Sequence, residues 1–172
     1  MSGLSPGAAL AVYLVVLAVQ RVAELVHSAH NERRLRARGA IEHGAGHFPW
    51  IVALHALYPV LLAAEVLALG ARPGPAWPLW LLLWLVAQAL RYAAVATLGE
   101  RWTVRIWVLP GAPLVRRGPY RWLRHPNYVA VILELVAAPM MFGAWRTAFV
   151  VSVLNLLALR ARIRQEESAL GG

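Results

Sequence analysis

Two polar stretches interrupt an otherwise apolar chain, and they hold the residue types from which a binding or reaction site can be built. The first runs from Arg101-Trp102-Thr103-Val104-Arg105 through Leu109-Pro110-Gly111 to Arg116-Arg117-Gly118-Pro119-Tyr120-Arg121-Trp122-Leu123-Arg124-His125-Pro126-Asn127-Tyr128. The second is the C-terminal set Arg162, Glu166 and Glu167. Guanidinium groups hold anions, carboxylates hold cations and hydroxyls, and histidine carries protons near neutral pH. The bland reading of the first stretch is an aromatic and Arg belt resting on anionic lipid. A third set is scattered inside apolar runs: Arg21, Glu24, His55, Gln88, Arg91, Glu134 and Asn155. Polar groups in hydrocarbon face a cavity or one another. Two readings of this set stand side by side, a polar cavity and structural pairs such as Arg21 with Glu24 at i, i+3. Glu65 lies apart, near the other end of its apolar run, as a structural or interfacial group.

The histidines raise metal chemistry. His27 and His30 share a helix face, and His43 and His47 follow with Glu42, all acceptable Zn²⁺ ligand types. Their spacing is loose and neither an H-E-x-x-H pattern nor a Cys pair accompanies it, so no metal is expected. Closure of Glu42, His43 and His47 over a substrate entrance is the more economical reading.

Composition bounds the elements that must position these residues. Of 172 residues, 60% are hydrophobic and 15% charged, which excludes an ordinary soluble domain, a disordered chain and a collagen-like fibre. The 17 basic residues are all Arg and the 8 acidic ones all Glu, for a net charge of +9. Such a surplus can serve nucleic acid, but here it lies between apolar runs of bilayer length, so no nucleic-acid partner is expected. The absence of Cys removes disulfides, thiolate nucleophiles and Cys-ligated metals.

A membrane helix needs about 20 apolar residues, and three runs supply them: Pro6 to Val26, Phe48 to Leu69, and Trp77 to Leu98. A single helix from Tyr128 to Leu159 would run about 48 Å, well beyond about 30 Å of hydrocarbon. Pro139 and Gly143 therefore predict a break near Met141 to Trp145 and a helical hairpin. The expected fold is all-α, a polytopic integral membrane protein of about five transmembrane helices whose last two form the hairpin. The stretch from 101 to 128, punctuated by Pro and Gly, is expected as a defined loop at the membrane face. No Arg precedes the first apolar run and no small-residue cleavage site follows it, so that helix is expected to be retained. Thirteen of the 17 arginines lie after the first run, after the third run and in the C-terminal tail. That bias predicts the N-terminus outside and the C-terminus in the cytoplasm, with the buried polar set within about 15 Å of the cytoplasmic surface.

The pattern Gly118-x-Tyr120-x-x-x-Arg124-His125-Pro126-x-Tyr128, then an apolar hairpin, then Arg162-x-x-x-Glu166-Glu167-x-x-Leu170 resembles the isoprenylcysteine carboxyl methyltransferase family and its phospholipid methyltransferase relatives. The resemblance covers roughly residues 77 to 170. It divides one membrane domain, 1–172, into N-terminal helices with a first cytoplasmic loop (1–76) and a methyltransferase-like core (77–172). Ala130 departs from the pattern, since many relatives carry Gly two places after the Tyr. The N-terminal half, with Asn31-Glu32-Arg33-Arg34-Leu35 and Glu42-His43-Gly44-Ala45-Gly46-His47-Phe48-Pro49, resembles a bacterial subfamily. Members of that subfamily methylate hydroxyls of lipid-like polyketides such as alkylpyrones and alkylresorcinols, which implies the bacterial inner membrane as location.

Such enzymes use S-adenosylmethionine, and the resemblance assigns its binding to His125, Pro126, Tyr128, Arg162, Glu166 and Glu167, with Gly118 and Tyr120 in support. The cofactor's carboxylate, ammonium, ribose and adenine call for cationic donors, carboxylates and an aromatic or apolar slot. Methyl transfer to oxygen draws on positioning and desolvation and requires no metal. A carboxylate acceptor is already ionised near pH 7, whereas a phenol must lose its proton. Arg124 or Arg91 would then anchor an anionic acceptor, and Glu134, His55 or His125 would be the base for a neutral one. The acceptor, a lipophilic small molecule or a prenylated substrate, would arrive from the membrane lipid. The competing class is a small transporter or a membrane scaffold. No internal repeat supports the first, and the second needs no pair of converging polar motifs. Oligomeric state stays open, because the stripe Trp77, Trp80 and Trp84 suits lipid or a partner equally.

Overall fold

The computed structural model describes residues 5–171. Its five helices are α1 (Pro6–Ala37), α2 (Phe48–Leu67), α3 (Trp77–Leu98), α4 (Pro126–Met141) and α5 (Trp145–Gly171). Ser5 starts α1, its hydroxyl accepting from the Ala8 N–H at 3.2 Å, with Pro6 at the first helical position. The helix outruns its apolar stretch because Ser28, Asn31 and Leu35 recur at spacings of three and four and are all buried. α1, α2 and α3 are long and apolar enough to cross a membrane, so the length criterion is met by three helices where the sequence suggested about five spans. α4 is a shorter apolar helix, and only the first part of α5 is apolar.

α3 packs along α4, and α5 packs on both α4 and α2. Leu54, Tyr58, Leu62 and Val66 of α2 meet Leu135 and Met141 of α4 and Val151 of α5 in one apolar core. The outward faces of α1 and α3 stay bare, with Val15, Val19 and Val22 on one and Leu79, Leu82 and Val86 on the other. In a bilayer these faces meet chains as apolar as themselves.

The hairpin turns at Phe142, Gly143 and Ala144. Pro139 is tolerated inside the last turn of α4, and its carbonyl accepts from the N–H groups of both Phe142 and Ala144 at 3.0 Å. Gly143 has φ +72°, and a Cβ there would collide with the Arg72 carbonyl, so both backbone sterics and packing require glycine. α5 then continues as one helix of about 40 Å, carrying Arg162, Glu166 and Glu167 beyond the apolar portion. The Leu170 side chain lies outside the described residues.

Two short strands qualify the all-α expectation. β1 (Ile41–His43) pairs antiparallel with β2 (Ile106–Val108), Glu42 opposite Trp107. Three-residue strands carry no readable alternation, and their partners stand more than sixty residues apart.

Glu65, 3% exposed, closes the other end of the bundle. Its carboxylate accepts from the N–H of Arg146 at 3.1 Å, and from the N–H and hydroxyl of Thr147 at 2.7 Å each. The first turn of α5 thus receives its cap from α2. Glu65→Ala strands three donors and is expected to cost about 1–3 kcal/mol, read as a lowered thermal midpoint in detergent, whereas an unchanged midpoint would refute the cap.

Candidate functional site

The first polar stretch is strapped to the extension of α1. Asn31, 2% exposed, donates from Nδ2 to the carbonyls of Gly99 (3.1 Å) and Trp102 (2.8 Å), and the Ser28 hydroxyl accepts from the Val104 N–H at 2.9 Å. Trp102 is buried and stacks on His27 at 5.6 Å. The sheet adds a second strap, with Arg105 donating to Glu42 at 2.7 Å and Arg36 lying over the Trp107 ring at 4.6 Å. Residues 99–108, the start of the stretch expected as a defined loop, are therefore a fixed roof strapped to α1 and β1.

Beneath the roof, α4 and α5 bring the two polar motifs together. Arg162 donates from Nε to the Tyr128 hydroxyl at 2.8 Å and from Nη2 to the Val104 carbonyl at 2.7 Å. The Tyr128 hydroxyl donates in turn to Glu166. His125 stacks on Tyr128 with ring centroids 5.2 Å apart, and its Nε2 lies 3.4 Å from Glu167. Arg124 reaches Glu167 at 3.1 Å. Charge, stacking and hydrogen bonds thus converge at one end of the bundle.

These residues wall a cleft in two lobes that share, among others, Trp107, Tyr120, His125 and Glu166. The outer lobe, about 570 Å³, is also lined by Leu109, Leu114, Arg116, Arg124 and Glu167. The inner lobe, about 100 Å³, adds Thr103, Asn127, Tyr128 and Arg162. Two polar atoms in the inner wall, Trp107 Nε1 and Asn127 Oδ1, are buried without a hydrogen-bond partner among the described residues. Burial, with Glu166 beside it, pushes the Tyr120 phenol above its ordinary range. Tyr120 is therefore a neutral donor at physiological pH.

Gly118 and Pro126 hold the walls without lining them. Pro126 is fully buried at the first position of α4. Gly118 has φ +54°, and a Cβ would strike the Thr97 hydroxyl on α3.

His55 and Glu134 stand elsewhere, in the wall of a second cavity of about 220 Å³ lined from α1 to α4, and Arg91 does not line it but pairs with Glu134. Glu134 accepts from Arg21 at 3.1 Å, from Arg91 Nε at 2.9 Å, and from Arg91 Nη2 and Gln88. Glu24 completes the network with Arg21 at 2.5 Å and Arg91 at 3.5 Å. Gln20, which spacing alone did not single out, bridges Glu24 at 3.0 Å and Gln88 at 2.9 Å. The polar layer is thus both an ion-pair lattice and a cavity wall. Asn155 is buried with its Nδ2 unpartnered and stands outside this network among the described residues.

Sequence reasoning passed over Trp107 and Asn127 as site residues. Asn127 sat inside the quoted motif as a variable position, while Trp107 gave no signal because its partner strand is remote. Among the described residues no group of three His or Glu side chains is placed to hold a metal ion. His43 sits in β1, and the His47 side chain lies outside the described residues. Gly118→Ala is expected to force the 109–124 segment off α3, costing about 1–3 kcal/mol. Limited proteolysis checks this, and an unaltered cleavage pattern at that segment would count against the contact.

Residues 80–171, more than half of the chain, match the Isoprenylcysteine carboxyl methyltransferase (ICMT) family. The uncharacterized protein YpbQ of Bacillus subtilis (strain 168) is 40% identical over 157 residues, covering 91% of this chain and 94% of its own length. An uncharacterized protein of Haemophilus influenzae is 30% identical over 159 residues, covering 92% of each. No solved structure matches the chain. The family match takes in both polar motifs and the hairpin between them, and with three helices of bilayer length the conclusion follows: this chain is an integral membrane protein belonging to the isoprenylcysteine carboxyl methyltransferase family.

Proposed function

We propose that the protein is an O-methyltransferase that takes its methyl group from S-adenosylmethionine, held in the two-lobed cleft, and passes it to a lipophilic acceptor arriving from the bilayer. The observation that carries this reading is the meeting of Glu166 and Glu167 with His125 and Tyr128 at a cleft whose inner wall keeps an unpartnered donor, Trp107 Nε1, and acceptor, Asn127 Oδ1. Buried polar atoms without partners mark a place where a ligand or water completes the bonding.

The donor set fits the cofactor. Glu166 and Glu167 suit an ammonium or ribose hydroxyls, and Arg116 and Arg124 in the outer wall suit a carboxylate. Trp107, Tyr120 and Leu109 offer an aromatic and apolar slot. The outer lobe, about 570 Å³, falls in the usual range for small-molecule sites. When bound, the cofactor supplies an electrophilic methyl on a sulfonium. The chain's part is to hold it, orient it and keep water from it. Arg162 is spent on Tyr128 and the Val104 carbonyl, so its role is to fix the ring and the roof.

The Arg-rich end, where the cleft opens, is assigned to the cytoplasm of a bacterial inner membrane, with residues 1–172 working as one membrane domain. The α4–α5 hairpin is taken as the fourth and fifth membrane helices, short crossings packed within the bundle. An acceptor from lipid and a donor from water then meet between the two cavities. Asn127 in the cleft and Glu134 in the membrane cavity sit on one face of α4, about 10 Å apart along its axis.

Calorimetry with the detergent-purified protein tests the reading. Wild type is expected to bind S-adenosylmethionine, and Glu167→Ala to weaken binding about 10- to 100-fold through loss of a charged hydrogen bond, at an unchanged thermal midpoint. A folded wild type that binds no S-adenosylmethionine would end the proposal.

A further inference from the structure

We infer that His55 is the base that takes the proton from a neutral hydroxyl acceptor bound in the cavity between α1, α2, α3 and α4. The inference rests on the methyltransferase reading and names the acceptor class and the residue that handles it.

Charge balance comes first. Of the charged groups in the cavity's wall, Arg21 and Glu134 pair with each other, with Glu24 and with Arg91, so that two guanidinium groups meet two carboxylates and every one of them is in an ion pair. A carboxylate acceptor would find no uncommitted cation and would leave the buried site with an excess negative charge, which hydrocarbon penalises. A neutral hydroxyl carries no such penalty. It does need somewhere to put its proton.

Three groups near the two cavities could serve as base, and their bonding separates them. Glu134 already accepts four hydrogen bonds, two of them from Arg91, so its lone pairs are committed. His125 belongs to the cleft, held between Tyr128 and the two C-terminal carboxylates. His55 lines the membrane cavity, and its Nδ1 lies 2.8 Å from the Ile51 carbonyl. A carbonyl can only accept, so Nδ1 bears the hydrogen and the neutral ring presents a lone pair at Nε2. One turn along, the Tyr58 hydroxyl pairs with that of Tyr13 at 2.7 Å. One of the two donates to the other, which leaves a single O–H to fix the acceptor oxygen. Groups facing His55 across the cavity are Tyr13 and Arg21 from α1, Gln88 from α3 and Glu134 from α4. Trp84, Leu17 and Leu135 supply apolar wall for a lipid-like body.

The step balances. The acceptor's O–H bond breaks and its proton goes to His55 Nε2, while the oxygen's electron pair forms the new O–CH3 bond. The old CH3–S bond breaks with its electrons left on sulfur, giving a neutral thioether. His55 then returns its proton to water.

The test uses the full chain in detergent and a long-chain alkyl nitrophenol, whose phenolate absorbs in the visible. Without cofactor and below the probe's own pKa, wild type is expected to raise the phenolate band on binding, and His55→Gln to bind the probe with no such band. With cofactor, methylation of an ordinary alkylphenol is expected to fall about 100-fold or more in His55→Gln, and methylation of the more acidic nitrophenol to fall far less. S-adenosylmethionine affinity should be unchanged, and His55→Asn carries the same expectations should the first variant be unstable. An equal phenolate band in the variant, equal losses for both acceptors, or preference of the wild type for a fatty carboxylate would each overturn the assignment. Loss of cofactor binding in wild type would instead strike the methyltransferase reading beneath it.

Discussion

A guanidinium or a carboxylate alone in hydrocarbon costs several kilocalories per mole, and the charges of Arg21, Glu24, Arg91 and Glu134 offset that cost by pairing with one another, with Gln20 and Gln88 donating to the two carboxylates. Because they come from three different helices, the pairing dictates how α1, α3 and α4 may lie. A rotation of any one helix would unpair a buried charge, and removing one partner from such a pair typically costs about 3–5 kcal/mol. Apolar contacts between membrane helices lack that selectivity, since lipid tails compete on equal terms for every Leu and Val. The membrane cavity lies against this lattice, with Arg21, Gln88 and Glu134 in its wall.

At the Arg-rich end a different constraint governs. The 99–128 segment buries little beyond Trp102 and Ile106, and polar groups on other elements order it: Asn31 and Ser28 on the α1 extension, Glu42 on β1 and Arg162 on α5. Each of these bonds satisfies backbone or charged groups that an unanchored loop would leave to water. The N-terminal half, outside the part that carries the family motifs, is therefore what shapes the roof of the cleft. Gly118, close against Thr97, lets the same segment return to α3 before α4 begins.

Much of this was legible from residue types. The three long apolar runs became α1, α2 and α3, and the break expected between Met141 and Trp145 falls at Phe142–Ala144, because Pro139 and Gly143 act through local backbone chemistry. The two motifs quoted for the family do meet at one end of the bundle, as their positions flanking a hairpin required. The strand pair, the cap given by Glu65 to α5 and the unpartnered Trp107 and Asn127 were not legible, because each depends on a partner far away in sequence.

The division follows the range of the forces. Sequence by itself determined what depends on composition and near neighbours: a membrane chain, its long helices, its hairpin and its Arg-rich end, since the cost of putting polar groups in lipid and the geometry of Pro and Gly act residue by residue. Tertiary structure alone decided the sorting of the polar residues into two places, with His125, Tyr128, Glu166 and Glu167 at the cleft and His55, Arg21 and Glu134 in the wall of the membrane cavity. It also decided that the buried ions are fully spent on each other while one imidazole nitrogen is not, because charge compensation is a property of three-dimensional neighbours and no spacing along the chain encodes it.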